Sequence, residues 1–140
     1  MTPSNVHLCS QAYVRYSAGD IDGLLELFHP EVEVFVAPPN FESGTYRGHP
    51  EYRGLLERWA ASWDEMRIEP RELDAAGDWI LATVDYIGRG QGSGVEVTQP
   101  SWELSLWQNG VCTQYEVYWD SEQGTEAFAR RREETARQAQ

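Results

Sequence analysis

Hydroxyl-bearing rings are the groups in this chain best suited to act on a bound molecule. Its 140 residues include seven Tyr, six Trp and four Phe. Tyr16, Tyr46, Tyr52 and Tyr115 can each donate to a ligand oxygen, or fill a core with the hydroxyl at its rim. Trp59, Trp63, Trp102 and Trp119 are rings of the size that lines an apolar pocket. Other chemistry is sparse. His7, His29 and His49 lie far apart and never at i, i+4, so no metal-ligand spacing arises; neither metal nor cofactor is expected. Cys9 and Cys112 sit among apolar neighbours without a cation beside them, which predicts buried, reduced thiols. The run Gly88-Arg89-Gly90-Gln91-Gly92-Ser93-Gly94 lies between two strand patterns. A phosphate cradle needs a following helix N-terminus, so a hairpin loop is expected and nucleotide binding is not.

These residues have to be positioned by helices that come first and strands that come last. A helix is expected over about Ser4–Ser17, with Val6, Cys9, Tyr13 and Tyr16 on one face. Gly19 ends it, Asp20 caps a second helix reaching Phe28, and Pro30 stops that one. Strand alternation over about Val32–Ala37 leads into a breaker-rich loop, Pro38 to Gly44. Pro50 opens a third helix with Tyr52, Leu55, Leu56, Trp59, Ala60 and Trp63 as its apolar stripe.

From Met66 the period falls to two. Met66–Leu73, Trp79–Gly88, Val95–Trp107 and Val111–Trp119 read as an antiparallel meander, with Asn109-Gly110 as a tight turn. A C-terminal helix begins at Asp120 or Ser121, and its polar end, 129–140, is expected to fray. The chain is one domain of α+β class, with no repeat and no linker.

In the last two strands Trp102, Leu104 and Leu106 share a face, as do Thr113, Tyr115, Val117 and Trp119. The more apolar sets are expected to face the helices, lining a pocket or packing it shut. That leaves Trp107 and Tyr118 on the convex side, where a second subunit is the simplest cover, so a homodimer is expected.

A formal net charge of −12 argues against nucleic acid and anionic membrane surfaces as partners. Arg130-Arg131-Arg132 is followed at once by Glu133 and Glu134, the pattern of a solvated helix face. Neither a signal peptide nor a stretch of transmembrane length is visible, so a cytoplasmic location is expected.

Six motifs carry a resemblance. They are Gly19-Asp20-Ile21-Asp22, Phe28-His29-Pro30-Glu31-Val32, Tyr46-Arg47-Gly48-His49, Ala76-Gly77-Asp78, the Gly88–Gly94 run and Tyr118-Trp119-Asp120. In these the chain, over about residues 6–128, resembles the SnoaL-like family. That family lies within the superfamily of ketosteroid isomerases, limonene epoxide hydrolases and nuclear transport factor two. The resemblance implies a cone, a curved antiparallel sheet wrapped around N-terminal helices, with an apolar cavity between them. It implies little about chemistry, because one fold hosts many functions.

The superfamily's two acid–base sets are poorly matched. Aligned without gaps, the ketosteroid isomerase base falls at Val36, its Tyr at Ala12 and its Asp donor at Trp102; Tyr13 is adjacent to one of these. The epoxide hydrolase Arg-x-Asp falls on Thr83-Val84-Asp85, and that enzyme's second Asp falls at Val117. Asp85 is thus the candidate catalytic residue implied by resemblance, expected in the cavity wall and partly desolvated. Strand periodicity instead groups Ile80, Ala82, Val84 and Tyr86 as the apolar face and leaves Asp85 outside. The expected ligand is an apolar small molecule of polyketide or terpenoid type, held by Tyr16, Trp59, Trp63, Trp102, Tyr115, Val117 and Trp119. Two functions are open: cofactor-independent isomerisation, cyclisation or epoxide opening, and non-catalytic binding.

Overall fold

The computed structural model describes residues 4–90 and 92–138, the side chain at 64 excepted. In chain order the elements are α1 (Asn5–Ser17), α2 (Ile21–Glu26), β1 (Phe28–Val36), β2 (Gly44–Arg47) and α3 (Gly48–Ala61). They continue with β3 (Trp63–Ala76), β4 (Trp79–Gly90), β5 (Glu96–Gln108), β6 (Val111–Tyr118) and α4 (Ser121–Gln138). Ser4 caps α1 by accepting from the His7 N–H at 3.1 Å, and Asp20 caps α2 by accepting from Gly23 at 2.9 Å. Between them Gly19 turns the chain at φ 75°, a conformation open to glycine without steric cost. The second helix is shorter than its apolar spacing suggests. Phe28 opens β1 instead of closing α2.

The six strands form one curved sheet in the order β2-β1-β6-β5-β4-β3. The last four make the expected antiparallel meander, but β1 runs parallel to β6, so the sheet is mixed. Parallel pairing needs a long crossover, and everything from β2 to β5 supplies it. Residues 44–47, at the end of the expected loop, pair with β1 as a four-residue edge strand. The glycine run closes the β4–β5 hairpin; residue 91 lies outside the described residues.

Both faces of the sheet are covered, and this decides which side chains point where. On the inner face β4 presents Ile80, Ala82, Val84 and Tyr86, and β6 presents Cys112, Tyr115 and Val117, all packed with α1, α2 and α3. On the outer face Trp79, Leu81 and Leu104 pack with Ala127 and Phe128 of α4, with Trp102, Leu106 and Tyr118 around them. The expectation for β6 therefore agrees with the structure for Tyr115 and Val117, and the one for β5 is reversed. Trp102 and Leu104 face α4, while Ser101, Glu103, Ser105 and Trp107 are buried on the opposite, inner side. Alternation shows which residues share a face and apolarity alone does not identify the inner one here, because α4 covers the outer face with apolar contacts as well.

Trp107 is only 1% exposed and packs with Phe28 in the inner core. It does not crowd the outer face, which removes it from the argument for a second subunit. α4 runs to Gln138, with Arg131 paired to Glu116 and stacked over Trp79; residues 139 and 140 of the stretch expected to fray lie outside the described residues. No helix among the described residues is long and apolar enough to cross a membrane.

Candidate active site

Among the described residues the inner face buries one carboxyl, and it is wholly enclosed. Glu103, at the middle of β5, is 0% exposed. Tyr13 of α1 donates to its Oε1 at 2.8 Å, and Tyr115 of β6 makes a short hydrogen bond to the same oxygen. Tyr86 of β4 donates to Oε2 at 2.6 Å, and Ser101 to Oε2 at 2.9 Å. Four hydroxyls thus meet the four acceptor sites of one carboxylate, and no guanidinium or ammonium is among them. Burial pushes the Glu103 carboxyl above the ordinary carboxylate range, against the pull of those four hydrogen bonds. Burial, and next the Glu103 charge, push the Tyr13, Tyr86 and Tyr115 phenols well up.

Above this floor lies a cavity of about 30 Å³, walled by Tyr13, Tyr16, Phe28, Tyr52, Trp59, Tyr86, Trp107 and Tyr115 with a few aliphatic neighbours. That space holds roughly two water molecules. Ring packing accounts for the small size: Phe28 and Tyr52 centroids are 5.0 Å apart, and Trp59 and Tyr86 5.7 Å. Tyr16 and Leu56 line this cavity and also a surface depression of about 300 Å³ that includes Ile21, Trp63 and Met66. They form the wall between the two. Tyr16 is held there by donating to the Met66 thioether at 3.3 Å, a weak acceptor. Cys9 sits by Ser105 at 3.7 Å, its thiol pushed up to about 12 by burial.

The structure brings together some of the expected residues and separates others. Tyr16, Trp59 and Tyr115 line the cavity. Val117 is enclosed in the inner core. Trp119 stands one layer back, against Trp59 at 6.2 Å and Tyr86 at 5.9 Å, with its indole N–H donating to Ala37 O. Trp63 lines the outer depression, and Trp102 lies on the far side of the sheet among the α4 contacts.

Asp85 is not in the cavity wall. Neighbouring residues of β4, Val84 and Tyr86, point into the inner core, and the Asp85 carboxylate pairs with Arg71 Nε at 3.3 Å. A β-bulge between Pro70 and Glu72 inserts Arg71 opposite this stretch of β4. Strand periodicity read this position correctly, and the placement implied by resemblance is corrected. Reasoning from sequence missed Glu103, Tyr13, Tyr86 and Ser101 as a unit. A signal was present: Tyr13 and Glu103 each follow by one residue the gapless positions of the isomerase Tyr and Asp.

Comparison with known proteins agrees with this architecture. Residues 10–110 match the family model described as a SnoaL-like domain. A curated-protein search finds no match. Among solved structures, an NTF2-like protein of unknown function from Burkholderia pseudomallei K96243 is 21% identical with a TM-score of 0.76, over 87% of this chain and 95% of that one. TerC, co-crystallised with polyporic acid, is 23% identical with a TM-score of 0.74, over 87% and 95%. AclR, a putative hydroxylase from Streptomyces galilaeus, is 14% identical with a TM-score of 0.71, over 83% and 88%. At these identities the solved structures share the fold.

Proposed function

The chain belongs to the SnoaL-like family, and on that premise we propose that it is a cofactor-independent acid–base enzyme moving a proton within an apolar, oxygen-bearing small molecule. The observation that carries this reading is the enclosed Glu103 carboxyl, tied to the cavity through Tyr13, Tyr86 and Tyr115. Glu103 does not line the cavity; the three phenol rings do. A proton therefore reaches Glu103 by relay. A phenol takes a proton from a substrate carbon as it passes its own to the carboxylate, and the reverse transfer returns one to a second carbon. One such carboxyl suffices for isomerisation or ring closure, because the group that takes up a proton also returns one. General acid–base catalysis of this kind contributes about 10²–10⁴-fold.

The ring-lined walls favour an apolar substrate. TerC's co-crystallisation with polyporic acid and AclR's description as a putative hydroxylase support a small-molecule role for this scaffold. The substrate body would lie in the outer depression, with its reactive end reaching past Tyr16 and Leu56 once Tyr16 leaves Met66. Non-catalytic binding is favoured by one observation: all three phenols are committed to Glu103 and the cavity between the rings is small.

Hydrogen–deuterium exchange separates the two. With 2-tetralone in deuterium oxide, followed by proton NMR, the protein should accelerate loss of the α-hydrogen signals. Glu103→Gln should lower that acceleration by about 10²-fold or more. Equal exchange by both proteins would refute Glu103 as the proton carrier, and a bound ketone that does not exchange would support the binding reading.

A further inference from the structure

β3 is the longest strand of the sheet, 14 residues from Trp63 to Ala76, and it lies at an edge. A long open edge offers a row of backbone groups to any other strand. At the middle of β3 that row is taken up by a side chain. The Ile68 N–H donates to Ser17 Oγ at 3.0 Å, and the Ser17 hydroxyl donates to the Ile68 carbonyl at 3.2 Å. One hydroxyl thus completes both halves of a strand pairing, at distances a neighbouring strand would give. Ser17 ends α1, and Tyr16 beside it donates to the Met66 thioether at 3.3 Å, so the last turn of α1 grips β3 with two side chains.

The edge that Ser17 occupies is complementary to itself. The Ile68 backbone groups point away from β4, so by alternation those of Met66 and Pro70 do too, Pro70 with a carbonyl only. A two-fold axis at Ile68 would set two β3 strands antiparallel, with Ile68 opposite Ile68 of the second copy. Arg67 of each copy then lies opposite Glu69 of the other, on the outer face where both side chains are half-exposed. Opposite charges facing one another across strands stabilise such a pair, and an isologous contact closes on a dimer. We propose that the free edge of β3 is a self-association surface for a second copy of this chain, held shut by Ser17. Neighbouring strands lie only about 4.8 Å apart, and the Ser17 side chain stands in that space. Pairing therefore requires the last turn of α1 to leave the edge, and the two bonds to Ile68 hold it there. The surface does not depend on the acid–base reading above.

Sedimentation velocity over a rising concentration series tests the surface. Ser17→Gly clears both the hydroxyl and the Cβ from the edge. Relative to the unmodified protein at the same concentrations, it should add a species of twice the mass. Arg67→Glu placed on that variant sets like charges opposite Glu69 and should weaken the association about tenfold. Adding Glu69→Arg as well restores opposite charges across the two strands and should restore the association. Amide exchange of the unmodified protein, followed by NMR, requires no variant. Relative to intrinsic rates, the Ile68 amide should exchange about tenfold more slowly than the Met66 amide, although both face the open edge. Equal exchange at the two amides would overturn the part given to Ser17, whether or not Ser17→Gly folds. A folded Ser17→Gly that sediments like its parent, or association indifferent to Arg67→Glu, would overturn the pairing.

Discussion

At Glu103 the opposition between burial and hydrogen bonding makes a pH dependence that can be measured. Its folded pKa is raised above the ordinary carboxylate value. Between the two values the folded state keeps a proton that the unfolded chain has released, so stability falls as pH rises. The contribution is complete below the unfolded pKa of about 4.3 and is lost as pH passes through the higher folded value. Gln at this position imitates the neutral carboxyl and does not titrate. The melting temperature of the unmodified protein minus that of Glu103→Gln should therefore decline from about pH 4.3 upward; a flat difference would contradict the raised pKa. Tyr115→Phe removes one of the four donors and should cost about 1–3 kcal/mol in urea unfolding at neutral pH. Cys9, pushed up to about 12 and buried, should resist alkylation until the chain unfolds.

Among the elements, α4 decides most. It covers the outer face of the sheet, and it comes close to β5 at Gly124. A Cβ added there would stand 2.3 Å from the Trp102 Cβ, too near for either to remain in place. Gly124→Ala should accordingly lift the helix off β5 and cost about 1–3 kcal/mol, visible as a lower urea midpoint. A variant as stable as the parent would mean that α4 is not seated on Trp102. The same helix brings Arg131 to Glu116, at 2.6 Å, and over the Trp79 ring, at 4.6 Å. The inner helices have a different task. α1 contributes Tyr13 and Tyr16, and α3 contributes Tyr52 and Trp59, so the cavity is roofed by helices and floored by β4, β5 and β6.

For the molecule as a whole, the formal charge of −12 sets the response to salt. Like charges spread over one small domain repel, and salt screens them. Its exposed ion pairs, such as Arg53–Asp22 and Arg67–Glu69, contribute only about 0–1 kcal/mol each, so losing them to screening matters less. Raising sodium chloride to about 0.5 M should raise the calorimetric melting temperature at neutral pH. A fall would show that the ion pairs outweigh the repulsion.

Local signals in the chain determined its class and the order of most of its elements. Gly19 and Asp20 set the first helix boundary, the stripe from Tyr52 to Trp59 set α3, and alternation from Met66 set the meander, because each depends on residues close in sequence. Alternation also placed Ile80, Ala82, Val84 and Tyr86 together and left Asp85 apart. What alternation lacks is a direction. Whether Trp102 or Glu103 faces inward was decided by α4, which packs on the outer face against Trp102. Glu103 is tolerated inside because hydroxyls from positions 90, 17, 12 and 2 residues away converge on one carboxyl. Desolvation makes that enclosure costly until all the partners are present, and only the tertiary structure assembles them.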